Sequence, residues 1–147
     1  MGKKEIDEIR NFNRFYTDVL GLLDEHILNS DYSLPEGRVL LELSKNKSLT
    51  ANQIVNALKI DKSYLSRILR NFEHKGLIEK VRCTKDGRAI YLSLTQFGAE
   101  EFKKLNTKSN EQISGILSAL SAEERSQLLN NMREIKAILE KASLLEK

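Results

Sequence analysis

The stretch Thr50-Ala51-Asn52-Gln53-Ile54-Val55-Asn56-Ala57-Leu58 is followed by Lys59-Ile60-Asp61 and then by Lys62-Ser63-Tyr64-Leu65-Ser66-Arg67-Ile68-Leu69-Arg70-Asn71-Phe72-Glu73-His74-Lys75-Gly76. Thr50 and Gln53 stand three apart ahead of an apolar run, the pattern of a capping box, so a short helix starts there with Ile54, Val55 and Leu58 inward. Lys59-Ile60-Asp61 makes a tight turn. Asp61 suits the positive end of the next helix as its N-cap. That helix spans Lys62 to Lys75, buries Leu65, Ile68, Leu69 and Phe72, and is stopped by Gly76, with Leu77 folding back on its last turn. Ile78 to Thr84 and Ala89 to Leu94 alternate as strands, with Asp86-Gly87 supplying the turn between them. Ile90, Leu92 and Leu94 share one face of the second strand.

Outward from this centre the chain reads as helix. Between Glu5 and Asn29 apolar residues recur in steps of three and four from Ile6 to Leu28, which predicts one long amphipathic helix with Gly21 inside it. Asn29-Ser30-Asp31-Tyr32 reads as a loop. Ser33 and Glu36 form a capping box with Pro35 near the first helical position, opening a helix that carries Val39, Leu40, Leu41 and Leu43 inward. After the strands Thr95 caps a helix of about 24 residues, reaching to near Ala119. Phe97, Phe102, Leu105, Ile113, Ile116 and Leu120 are candidates for its apolar side. Ser121 and Glu124 form a third capping box. The helix it opens aligns Leu128, Leu129, Met132, Ile135, Ile138, Leu139 and Ala142.

The 147 residues make one compact unit with helical extensions, with 40% hydrophobic and 31% charged residues, as in a globular protein. No apolar run approaches the roughly 20 residues of a membrane helix, and the N-terminus has no apolar signal core, which places the protein in the cytoplasm. Met1-Gly2 lacks the Ser or Thr that a myristoylation motif wants at Ile6. The single Cys83 excludes an internal disulfide and a multi-cysteine zinc site. Cys83 reads either as a structural residue or as a redox switch, and the structural reading is preferred. His26 and His74 have no ligand-rich company in sequence, so no metal and no cofactor is expected. Paired carboxylates, a nucleophile with its base and a phosphate loop are all lacking, so the chain is not read as an enzyme.

The net charge is +3, but its distribution is uneven. Between Lys59 and Arg88 nine basic residues stand against four acidic ones, a net +5, and the rest of the chain is at −2. A basic centre between slightly acidic ends fits one face turned to a polyanion, and fits equally a solvated lysine-rich surface. The exposed side of the Lys62–Lys75 helix carries Lys62, Ser63, Tyr64, Ser66, Arg67 and Arg70. Arginine bonds two guanine acceptors at once in the major groove, and serine and lysine suit phosphate oxygens. Arg82, Lys85 and Arg88 cluster at the hairpin, where an arginine on an extended loop can probe the minor groove. The plainer alternative there is an edge charge that blunts an exposed strand.

In this order the residues resemble the MarR-type winged helix-turn-helix transcriptional regulators. The resemblance rests on Leu58 to Leu69, on Leu77-Ile78-Glu79-Lys80, on the Asp86-Gly87-Arg88 wing, and on Leu92-Ser93-Leu94-Thr95-Gln96-Phe97-Gly98. It implies a mainly α (α+β) fold with a small antiparallel wing. It also implies an N-terminal dimerisation helix over 1–32, a DNA-binding domain over 33–96 and C-terminal dimerisation helices over 97–147. By the same resemblance Ser63, Tyr64, Ser66 and Arg67 face the major groove of double-stranded DNA, Arg88 enters the minor groove, and Asp86 orients it. The resemblance makes a second copy of the chain the partner of the terminal helices, the alternative being a helical cap folded back on its own domain.

A ligand-responsive repressor is the implied function, its small-molecule effector lodged between frame and reader near Phe15, Tyr16, His26 and Arg38. Phe12 to Tyr16 and Leu22 to His26 resemble more narrowly the regulator half of MarR–acetyltransferase fusion proteins. No acetyl-CoA-binding loop is read, which points to a regulator standing alone. The competing reading is a winged-helix module that binds a protein and has no DNA role.

Overall fold

The computed structural model describes residues 2–21, 24–82 and 89–145. The chain divides into two compact units, 1–108 and 109–147.

The first unit opens with α1 (Lys3–Leu20), none of whose residues is buried. The helix expected to run on to Asn29 stops at Gly21, which takes a left-handed conformation (φ 65°) and donates its N–H to the Asp18 carbonyl. Apolar residues recur past that point, but a glycine at positive φ ends the helix whatever follows it. Ile27–Asn29 then forms a single 3-10 turn with Leu28 at φ 55°. The Asn29–Tyr32 loop leads into the core: Tyr32 is 6% exposed and lies edge-on to Phe72, ring centroids 6.4 Å apart.

Helix α2 (Leu34–Lys45) starts on Ser33 with both arms of the capping box made, Glu36 N–H to Ser33 Oγ and Ser33 N–H to Glu36 Oε1. It buries Val39, Leu40 and Leu43, while Leu41 stays half-buried. Helix α3 (Ala51–Leu58) has the same box from Thr50 and Gln53 and buries Ile54. Val55 and Leu58 pack against the core from its edge. Lys59, at φ 53°, closes α3 and sets the turn into α4 (Lys62–His74). Asp61 caps α4, its carboxylate accepting the Tyr64 N–H at 2.9 Å. At the other end Leu77 N–H reaches the Phe72 carbonyl (2.8 Å) and Gly76 N–H the Glu73 carbonyl (3.1 Å). Gly76 at φ 77° completes this Schellman close.

Strands β1 (Ile78–Arg82) and β2 (Ile90–Leu94) pair antiparallel, Ile78 opposite Leu94 and Arg82 opposite Ile90. Leu92 is buried, but Ile90, expected on the same inward face, is 41% exposed, and Val81 is 53% exposed. Both exposed residues lie toward the end of the strands away from the Ile78–Leu94 pair. Leu49 and Leu92 exchange two backbone hydrogen bonds, at 2.9 and 2.7 Å, which ties the start of α3 to the base of the hairpin.

Thr95 joins hairpin to helix. Its hydroxyl donates to the Gly76 carbonyl at 2.6 Å and accepts the Gly98 N–H at 3.0 Å, opening α5 (Gln96–Ser118). Phe97, a candidate for the apolar side, is 49% exposed, whereas Leu105 is buried.

The second unit holds the end of α5 and the helix α6 (Ala122–Leu145). Ser121 and Glu124 cap α6 reciprocally, at 3.0 and 3.1 Å, and hydrogen bonding from Ser121, its backbone N–H first and its side chain second, holds the Glu124 carboxyl below its usual range. Arg125 donates to the Leu120 carbonyl at 2.9 Å, closing the end of α5 against the start of α6. Leu129, Met132, Ile135, Ile138 and Leu139 are exposed along α6.

Candidate nucleic-acid interface

The burial of α4 defines its opposite face. Leu65, Ile68, Leu69 and Phe72 point into the core, each at most 7% exposed. At 100° per residue, the line diametrically opposite them passes through Ser63, Arg67, Arg70 and His74. Tyr64 and Ser66 flank this line on its two sides, and Lys62 stands in the first turn. All six of the expected residues on this helix, Lys62, Ser63, Tyr64, Ser66, Arg67 and Arg70, are exposed. Arg67 lies over the Tyr64 ring, its Cζ 5.7 Å from the centroid, a cation–π contact that narrows the directions open to the guanidinium.

Sequence reasoning misses two residues of this face, Asn71 and His74. Together with Arg67 and Arg70 they line a shallow hollow of about 350 Å³ along the outer side of α4. For His74 the signal is present: Ser63, Arg67, Arg70 and His74 follow one another in steps of four, three and four. The last turn of a helix is read for how the helix ends, and that reading passes over His74.

The charge on this face is almost all positive. The one carboxylate in the body of α4, Glu73, is engaged by Lys80 of β1 at 3.0 Å. Asp61 is turned into the backbone by its cap. Neither leaves a free acidic group beside Arg67 and Arg70. A positive, solvent-facing helix flanked by a basic strand offers charge-assisted donors to phosphate and to base edges.

Lys85, Asp86 and Arg88, the expected wing contacts, lie outside the described residues, as does Cys83. Among the described residues no group of His, Cys, Asp and Glu is placed to hold a metal ion. No helix among them is long and apolar enough to cross a membrane.

A second hollow, of about 300 Å³, opens between the end of α2, the end of β2 and the start of α5. Leu43, Leu94, Ala99 and Phe102 contribute its apolar lining, and Lys45 and Lys47 line it as well. The residues expected near an effector are elsewhere. Phe15 is 63% exposed, Tyr16 stacks on Phe12 at 5.7 Å, and His26 and Arg38 are exposed.

Two helices joined by a tight turn, the second with an open basic face, followed by a two-stranded hairpin, define a winged helix-turn-helix protein. The MarR family model matches residues 30–89, from the loop before α2 into the hairpin. The HTH-type transcriptional regulator BilQ of Clostridium symbiosum is 27% identical over 96 residues, covering 65% of this chain and 67% of BilQ. Among solved structures, Streptococcus pneumoniae FabT in complex with DNA superposes with a TM-score of 0.77 at 23% identity, covering 95% of this chain and 99% of that one. Bordetella bronchiseptica BpsR, whose DNA binding is regulated by 6-hydroxynicotinic acid, superposes at 0.67 with 16% identity, covering 88% and 98%. The chain has a winged helix-turn-helix fold, and over residues 30–89 it matches the MarR family model.

Proposed function

We propose that the protein is a homodimeric repressor that reads a near-palindromic operator with α4 in the major groove and is released by a small molecule. The observation that carries this reading is the line Ser63–Arg67–Arg70, set opposite the buried side of α4 and cleared of free carboxylate by the Glu73–Lys80 pair. Lys62, Ser63, Tyr64, Ser66, Arg67 and Arg70 are the major-groove and phosphate contacts. Arg88 enters the minor groove, with Asp86 orienting it, and Lys85 is a further DNA contact of the wing. A protein-binding role without DNA is not favoured, since FabT, of the same fold, is bound to DNA.

Dimerisation rests on uncovered apolar surface. Ile6, Ile9, Phe12 and Val19 are exposed on α1, and Leu129, Met132, Ile135, Ile138 and Leu139 on α6. Residues 1–32 and 97–147 are thus assigned to the dimer and 33–96 to DNA, with half-sites about 34–36 Å apart. The effector is a small molecule with an apolar body and an anionic group, for which the Leu43–Phe102 hollow, lined also by Lys45 and Lys47, is the fitting place. The protein works by binding, in the cytoplasm, and its relation to the regulator half of MarR–acetyltransferase fusions is one of descent.

The test is selection of bound duplexes from a genomic library at two salt concentrations. Recovery of a near-palindrome bound with specific affinity supports the reading. Weak, sequence-blind binding that disappears with added salt contradicts it.

A further inference from the structure

We propose that Asn71 and His74 extend the DNA contact of α4 to a backbone phosphate, and that His74 takes up a proton when that phosphate is seated. The proposal rests on the DNA-reading role of α4 proposed above and adds two residues and a regulatory consequence to it.

Three features of the structure converge on this point. Arg67, Arg70, Asn71 and His74 line one hollow of about 350 Å³ on the outer side of the helix. His74 falls on the same outward line as Ser63, Arg67 and Arg70, one turn beyond Arg70. All four residues of the hollow are exposed, so nothing in the described chain covers it. With Arg67 left to a base edge, the other groups suit a phosphate: the Arg70 guanidinium fork, an amide N–H donor, and an imidazole that donates from both nitrogens once protonated. A base edge would need a planar, matched pair of donor and acceptor, whereas a tetrahedral anion is satisfied by donors converging from several directions.

The charges around His74 set the sign of the effect. On α4 these are Arg67 and Arg70 on the preceding turns, Glu73 beside it and Lys75 after it. From β1, which packs against α4, comes Lys80, held on Glu73 at 3.0 Å. Without DNA the surroundings hold more basic than acidic groups. A phosphate in the hollow reverses that balance and draws a proton onto the imidazole. By linkage, affinity for DNA rises as pH falls through the histidine range. The only other histidine, His26, lies in the segment between α1 and α2 and serves as the control.

The experiment measures the affinity of the full-length protein for duplex DNA between about pH 8.5 and about pH 6, at fixed salt, for wild type, His74→Gln, His26→Gln, Asn71→Ala and Arg67→Ala. Wild type and His26→Gln are expected to gain affinity towards the acid end by about fivefold, the size of an exposed ion pair. His74→Gln should lose that gain, and Asn71→Ala should weaken binding at every pH. A pH profile of His74→Gln that matches wild type overturns the proposal. Arg67→Ala separates the two levels: unimpaired binding in that variant overturns the reading of α4 itself. Loss of binding in Arg67→Ala beside an unchanged profile in His74→Gln overturns only the inference about His74.

Discussion

The Tyr32 hydroxyl donates to Glu101 Oε1 at 2.8 Å, joining residues 69 positions apart. The ring packs edge-on to Phe72 on the buried side of α4, and Glu101 belongs to α5, where Lys104 holds its other oxygen at 3.2 Å. One side chain thus connects the loop before α2, helix α4 and the first turns of α5. Lys108 adds a bond from α5 to the Asn29 carbonyl at 3.2 Å in the same loop.

Tyr32→Phe should cost about 1.5 kcal/mol, the value of a hydrogen bond to a charged group whose acceptor keeps water and Lys104. The Tyr32 hydroxyl bond holds the Glu101 carboxyl below its usual range, with Lys104 assisting. A carboxyl depressed in the folded state stabilises above its unfolded value of about 4.3 and loses that contribution as pH falls through the folded value. Burial first, and then Glu101, pushes the Tyr32 phenol above its usual value, so its contribution is present below about pH 10 and is lost as pH rises beyond it. Denaturant titrations across pH should therefore show the wild type losing stability at both extremes more steeply than Tyr32→Phe. Parallel curves would refute the assignment.

Gly98→Ala should destabilise the fold by about 1–3 kcal/mol. A Cβ at Gly98 would run into the Leu77 carbonyl, which also accepts the Thr95 N–H at 3.0 Å. The obstacle is backbone, so no side chain can give way. Gly115, further along the same helix, has open space where a Cβ would stand, and it should accept alanine and gain about 0.5–1 kcal/mol of helix stability. Thermal melting of the two variants checks the contrast, and equal behaviour would contradict it.

Ile135→Asp should convert the protein from dimer to monomer and weaken operator binding together. Ile135 is 45% exposed between Met132 and Ile138 on α6, an apolar strip that a second copy would cover. Sedimentation of the variant at micromolar concentration reads the outcome. A variant that sediments like the wild type would remove α6 from the dimer interface.

The parts of this fold that are legible in the sequence are those decided by neighbours along the chain. Ser33, Thr50, Asp61 and Ser121 cap helices through residues three positions on, and Gly76 ends α4 through its own backbone angle, so each can be read locally. The extent of α1 is not legible, because Leu23, Ile27 and Leu28 continue the apolar period, and periodicity carries no information about the φ of Gly21. Tyr32 looks like loop because what buries it is Phe72, 40 positions on, and Glu101. Ile90, expected inward with Leu92, is 41% exposed at the strand end away from the Ile78–Leu94 pair, where burial depends on what packs there and not on the alternation itself. Of the site, the outward face of α4 is legible because its inward face is. His74 is hidden by its place in the last turn, and Lys85, Asp86 and Arg88 lie outside the described residues.

The central claim is that the outward line of α4 reads DNA sequence. Its most direct measurement is the affinity of wild type and Arg67→Ala for the selected operator and for a scrambled duplex of equal length, with thermal melting of both proteins as the control for folding. The account predicts that Arg67→Ala melts like the wild type and loses about ten- to a hundredfold in preference for the operator, the worth of a bidentate arginine–guanine contact. An Arg67→Ala protein that keeps the wild-type preference would contradict it.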